Sequence, residues 1–292
     1  MTDHGELSTG RDFRVYKAGM DASLAVKIAD ICPHVRPGTI VDKGCGTGKL
    51  LVHLSALWPE SRILGLDIST ELLHTAAGQP FPHPNASIVK GDIIQRHFPP
   101  GSVATVIFSS VIHEVFSYNG YDRESVRLAL RNTRMELEPA GRVVIRDGVR
   151  PAAGTVWMRC GTETESRFRR FARDFKGRSA TPGVTFIERV HDGQRWFILT
   201  THAANEFLSK KDYLENWSIE VNEEFGVFTL HEWQCELKAM GYRILEARSY
   251  ASPWIFEHRY RGRIWLHADA GDHPGEELPF PDTTAVIVGE AV

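Results

Sequence analysis

The chain has little of what would tie it to an oxidising compartment or a membrane. Its four cysteines, Cys32, Cys45, Cys160 and Cys235, are scattered over 292 residues without a CxxC spacing. That pattern excludes a disulfide framework and a cysteine zinc site as organising features. Nowhere do about eighteen apolar residues run together, so no membrane span is expected. Met1 to Phe13 lacks the apolar stretch of a signal peptide, and the expected compartment is the cytoplasm. No excess of one charge exists either. Lys and Arg number 34 against 37 Asp and Glu, a net charge of −3, which gives no electrostatic footprint for nucleic acid. Repeats and low-complexity tracts are absent. What remains is a chain with 42% hydrophobic residues, enough for a large buried core.

The chain alternates short apolar runs with helical patterns. Leu24, Ile28 and Ile31 lie about one helical turn apart, and Pro33, Pro37 and Gly38 end that helix. Ile40-Val41 is a short apolar strand. A helix follows with Leu50, Leu51, Leu54, Leu57 and Trp58 on one side and Pro59 as its stop. Arg62 to Asp67 reads as a second strand, and Ser69 as the N-cap of a helix over Glu71 to Ala77. Further strands are expected at Ser87–Val89, Val103–Ser110 and Arg142–Asp147, with a helix from Glu124 to Leu137. Such alternation predicts an α/β fold, a mostly parallel sheet with helices on both faces. From Pro151 to Phe228 the rhythm breaks. Thr229 and Glu232 have capping-box spacing for a last helix, and strands are expected at Tyr242–Tyr250 and Thr284–Val288. The division drawn from this pattern is an N-terminal helical arm (1–36), a main domain (37–150 and 229–292) and an insertion (151–228) acting as a substrate lid.

Between the first strand and the next helix stands Ile40-Val41-Asp42-Lys43-Gly44-Cys45-Gly46-Thr47-Gly48. Glycines there let the backbone turn sharply and approach a ligand, and the helix beyond offers free N–H groups. A phosphate-binding Walker loop fails twice: Lys43 stands at its first glycine, and Leu50 follows Gly48-Lys49. A dinucleotide Gly-x-Gly-x-x-Gly fits poorly, because the third glycine falls one residue early.

The remaining spacing, Asp-x-Gly-x-Gly-x-Gly, resembles the first motif of class I S-adenosylmethionine (SAM)-dependent methyltransferases. The order of elements agrees over 37–147 and again from Thr229. The resemblance implies a Rossmann-like seven-stranded sheet, with SAM above the strand carboxyl ends. It also implies that Asp42, Gly44, Cys45, Gly46 and Gly48 surround the methionine part. Asp67, with Ile68, would take the ribose hydroxyls; Asp92, with Ile93, the adenine; Ser109 would lie near the sulfonium. Tyr16, beside Arg14 and Lys17, would close over the cofactor. Lys43 departs from the family, which has an apolar residue there; a stem reaching out to solvent is the expected accommodation.

Methyl transfer needs alignment first, and a base only when the nucleophile must lose a proton. His113 follows the fourth strand and titrates near neutrality. It is the candidate base, with Glu114 beside it. No other clustered His and carboxylate set is visible, so metal-independent transfer is expected. The segment after strand four lacks the Asn/Asp-Pro-Pro-Tyr/Phe motif of adenine-directed enzymes acting on nucleic acid. In the insertion, His191, Trp196, His202, Tyr213 and Trp217 are candidate pocket residues. Arg167, Arg170 and Arg173 offer a site for an anion, or an ordinary solvated face. The expected function is methylation of an oxygen or nitrogen of a small molecule. RNA or protein methylation and a non-catalytic SAM-binding subunit are the alternatives.

Overall fold

Helix α1 (Leu24–Ile31) precedes strand β1 (Thr39–Lys43), whose Ile40 and Val41 are fully buried. The computed structural model describes residues 23–177 and 182–292; Arg14, Tyr16 and Lys17 lie outside them. Next come α2 (Lys49–Leu57), β2 (Arg62–Asp67), α3 (Thr70–Ala77) and β3 (Ala86–Lys90). Ser69 caps α3 as expected, its hydroxyl accepting from Leu72 N at 3.3 Å. Then follow β4 (Val103–Ser109), α4 (Ile112–Tyr118), α5 (Arg123–Glu136) and β5 (Leu137–Gly148). The Pro139-Ala140-Gly141 turn falls inside β5, where Ala140 takes a positive φ of 59°.

The segment expected to lack regular alternation does not lack it. It holds β6 (Thr155–Cys160), α6 (Thr162–Asp174), β7 (Ile187–His191), β8 (Gln194–Thr200), α7 (Thr201–Lys210) and α8 (Trp217–Glu220). After it come α9 (Leu230–Ala239), β9 (Tyr242–Tyr250), β10 (Ile264–Asp269), β11 (Pro274–Glu277) and β12 (Thr284–Ala291).

Two compact units result. One comprises Met1–Asp147, Leu230–Arg248 and Ala285–Val292; the other comprises Gly148–Thr229 and Ser249–Thr284. The first contains a seven-stranded sheet in the order β3-β2-β1-β4-β5-β12-β9. The pairs β1–β2, β2–β3, β1–β4 and β4–β5 are parallel. Every residue of β4 is buried, as a strand covered on both faces must be. Leu51 and Leu54 of α2 pack with Ile31, Ile40, Ile63, Ile107 and Val144 into one core.

The second unit is an antiparallel sheet, β11-β10-β6-β8-β7. Here the sequence division needs correcting: β10 and β11, which lie in the range assigned to the main domain, join the insertion's sheet, β10 pairing with β6 and β11 with β10. Phe168 and Phe171 of α6 and Phe207 of α7 pack against Phe197 of β8. The Phe168 and Phe197 ring centroids are 4.6 Å apart. Among the described residues, no helix is long and apolar enough to cross a membrane.

Candidate active site

In the first sheet the strand order reverses between β1 and β4. Open α/β sheets place ligands beyond the strand carboxyl ends at such a switch point. There the chain leaves β1 through Gly44, Gly46 and Gly48, with φ of 84°, 53° and 76°. That left-handed region favours glycine. Gly44 N and Cys45 N both donate to Leu66 O, at 2.7 and 3.1 Å. Two of the glycines are also demanded by the protein's own packing. A Cβ on Gly44 would lie 2.5 Å from Val111 Cγ2, and one on Gly48 2.9 Å from Ala76 Cβ. Cys45 turns its thiol into the core: a Cβ on Gly65 would lie 2.8 Å from its Sγ. Burial pushes that thiol well above its ordinary pKa.

Carboxylates gather at the same strand ends. Asp67 closes β2; its Oδ2 accepts from Gly46 N at 2.8 Å and its Oδ1 from Ser69 N at 2.9 Å. Burial raises its pKa, while the amides of Ser69, Gly46 and Ile68 pull it back. Asp42, in β1, is buried and its Oδ1 has no hydrogen-bond partner. Burial pushes its carboxyl up to about 7, against the pull of Lys27 from α1, and Asp67 adds to the rise. Ser109, the last residue of β4, also has a buried and unpartnered hydroxyl. Beyond β3, Asp92 Oδ1 accepts from Ile94 N at 2.9 Å, and Ile93 is buried. An unpartnered buried acceptor is costly. This set therefore fits a ligand that brings donors and positive charge. SAM does so through its ammonium, sulfonium and ribose hydroxyls.

Past β4, Ser110 holds a positive φ of 57° and donates its N–H to Arg146 O at 2.7 Å. Val111, Ile112 and His113 then present their N–H groups to Asp147 Oδ2, at 3.0, 2.6 and 3.3 Å. The other oxygen, Oδ1, lies 2.6 Å from His113 Nδ1. A carboxylate only accepts, so Nδ1 carries the proton and Nε2 the lone pair of the neutral ring. Sequence reasoning missed Asp147 as a site residue. The signal was its place at the end of β5, because the parallel register Ser109↔Arg146 sets it beside the start of α4.

Lys43 does not extend to solvent as expected. Its side chain is fully buried, with Nζ 2.6 Å from Glu136 Oε2 and 3.0 Å from Thr133 Oγ1, both on α5. An internal ion pair replaces the apolar side chain of the family pattern.

Within the second unit, the arginines of α6 have acidic partners. Arg167 pairs with Glu163 and, at 2.6 Å, Asp212; Arg170 and Arg173 pair with Asp174 at 3.6 and 2.7 Å. The solvated-face alternative describes them better than an anion site. Trp196 and Trp217 are buried, and Trp217 Nε1 donates to Asp174 Oδ2 at 2.9 Å. His202 Nε2 lies 3.1 Å from the buried Glu224.

A family profile described as "Methyltransferase domain" matches residues 40–141. The chain is similar to malonyl-[acyl-carrier protein] O-methyltransferase of Herminiimonas arsenicoxydans, 28% identical over 95 residues, 32% of this chain and 34% of that one. It is also similar to trans-aconitate 2-methyltransferase of Rhodopseudomonas palustris, 28% identical over 82 residues, 28% of this chain and 30% of the relative. The match thus spans about a third of these relatives' length. In fold it resembles an S-adenosylmethionine-dependent methyltransferase from Mesorhizobium loti, with a TM-score of 0.53, 17% identity and coverage of 92% of this chain and 97% of the other. The stretch matched as a methyltransferase domain, residues 40–141, is the one that carries the glycine loop at the β1–β4 switch and the carboxylates that ring it.

Proposed function

We propose that this chain transfers the methyl group of SAM to an oxygen or nitrogen of a small molecule. The observation that carries the reading is the pair of unpartnered buried acceptors, Asp42 Oδ1 and Ser109 Oγ, at the strand ends beside the left-handed glycine loop. In this reading Asp42 faces the methionine ammonium, above the loop of Gly44, Cys45, Gly46 and Gly48. Asp67 and Ile68 hold the ribose, Asp92 and Ile93 the adenine, and Ser109 borders the sulfonium. Bound SAM supplies a methyl carbon already activated by its positive sulfur. The chain's own contribution is alignment and, for a hydroxyl or ammonium acceptor, proton removal.

His113 takes that proton at Nε2. Asp147 fixes the ring by its 2.6 Å contact to Nδ1, selecting the tautomer and favouring the imidazolium that forms. Glu114, one residue on, adds negative charge beside the base. The two curated relatives are named for malonyl-[acyl-carrier protein] and trans-aconitate, which supports a carboxylate oxygen as one class of acceptor. Such an oxygen is already ionised near neutrality and asks for alignment alone, without His113 as base. The test is S-adenosylhomocysteine release on incubation with SAM and a panel of small carboxylic acids, phenols and amines. Turnover with one of these classes is expected. Calorimetry showing no SAM binding, or release only with RNA or protein, would overturn the reading.

A further inference from the structure

Lys43 is the residue of the glycine-loop motif that the proposed chemistry does not use. Its partner, Glu136, faces two ways. Oε2 receives Lys43 Nζ at 2.6 Å, and Oε1 receives the backbone N–H groups of His97 at 2.6 Å and Phe98 at 3.2 Å. The His97 ring then turns back along its own loop, with Nε2 2.7 Å from Asp92 O. A carbonyl only accepts, so Nε2 is the donor. The same ring covers Gly91, where a Cβ would lie 2.5 Å from its Cε1. From α5, Asn132 Nδ2 adds a bond to Ile94 O at 2.8 Å. Every tie ends on 91–98, the segment that carries Asp92.

We propose that Lys43 and Glu136 are positioning residues for the cofactor. They lock the Asp92 segment to the end of β1, so that the glycine loop and the adenine side are held in one geometry. This rests on the reading that Asp92 meets the adenine. The physical reason is that Glu136 is fully buried. As a charged acceptor it makes stronger bonds to the His97 and Phe98 amides than a neutral group. Lys43 supplies the opposite charge beside it, at 2.6 Å. Neither residue touches the cofactor; both act through the backbone of 91–98.

The test compares two double variants by SAM calorimetry and thermal melting. Lys43→Met with Glu136→Gln removes both charges but keeps an oxygen acceptor for the two amides. Lys43→Met with Glu136→Leu removes the acceptor as well. The Gln version should bind SAM within about threefold of wild type. The Leu version should bind about tenfold more weakly, the loss expected for two unmade hydrogen bonds. Rescue by Gln is a readout that general destabilisation does not produce. If the Leu version is too unstable to assay, Lys43→Met with Glu136→Asn serves instead. It keeps an amide oxygen but is one methylene too short to meet the two N–H groups, and it should bind SAM several-fold more weakly than the Gln version. Wild-type affinity in a folded Leu version, or in the Asn version where it stands in, overturns the proposal. Asp92→Ala, measured alongside, reads the adenine contact itself. Unchanged binding there removes the Asp92 reading without bearing on whether the pair affects affinity.

Discussion

Asp147 holds His113 twice, by the ring through Oδ1 at 2.6 Å and by the backbone through Oδ2 at 3.3 Å. The carboxylate thus sets where α4 begins and how its first histidine is turned. If His113 removes the acceptor's proton, His113→Ala should lower turnover by about 10²–10⁴ and leave SAM affinity nearly unchanged. Asp147→Asn keeps an acceptor oxygen but removes the charge that stabilises the imidazolium. It should lower turnover by a similar order while the protein stays folded. Single-turnover rates at saturating SAM decide. A rate within about threefold of wild type, far below the usual effect of a general base, removes His113 from the mechanism.

Asp42 makes the protein's stability depend on pH. Its folded carboxyl is pushed up to about 7 from an ordinary 3.8, first by burial. Between those values the folded state binds a proton that the unfolded chain has lost. Stability is therefore full below about 4 and falls as pH rises towards about 7. Asp42→Asn should flatten that dependence in urea titrations of the cofactor-free protein. A cationic ligand facing Asp42 favours the carboxylate, so SAM binding at pH 6 should release protons. Calorimetry in buffers of different ionisation enthalpy measures this, and no release at pH 6 would contradict the placement of Asp42.

The Lys43–Glu136 pair predicts asymmetric stabilities. Lys43→Met alone strands a buried charge and should cost about 3–5 kcal/mol. Adding Glu136→Gln should return most of that loss, because it removes the stranded charge and keeps an oxygen acceptor for the His97 and Phe98 amides. Burial lowers the Lys43 pKa while Glu136 raises it again. Equal destabilisation by the single and double changes, read from urea unfolding, would show that the pair is not an energetic unit.

Gly44 is constrained by conformation and by space. Gly44→Ala places a Cβ 2.5 Å from Val111 Cγ2 at a φ of 84°. A loss of at least about 2 kcal/mol is expected from strain and overlap together. Adding Val111→Ala should recover only the overlap part, since the backbone conformation still disfavours a side chain. Full recovery would show that the φ at Gly44 carries no cost.

The first sheet was legible because its strands are apolar on both faces, as in Ile40-Val41 and Val103–Phe108, and because glycine and proline mark their ends. Asp67, Asp92 and Ser109 were legible as strand-end residues in the right order. The second sheet was not, because its strands mix core and outer residues. Val156 and Met158 enter one core, while Trp157, between them on the chain, is buried on the opposite face and donates to Asp269 at 2.9 Å. Charged residues outside this short run break the pattern, as all but the last residue of β7 are exposed. Its aromatics therefore read as pocket lining when Trp217 is core. Lys43 was misjudged for a related reason: a local reading of the loop cannot see Glu136, which the fold brings to it from the end of α5.

The pairing of β6 with β10 sets Met158 opposite Leu266. On a ribosome, β6 is made long before β10 and meets β8 first, leaving its other edge uncovered through the synthesis of α7, α9 and β9. Exposed strand edges recruit other chains, and distant pairings close slowly. The first sheet has the same dependence on late segments. There β9 sits at the edge beside β12 alone, so it is translated before its neighbour exists. Both sheets wait for segments from 264 onward, and a ribosome stalled before 264 would present two unfinished edges to chaperones at once.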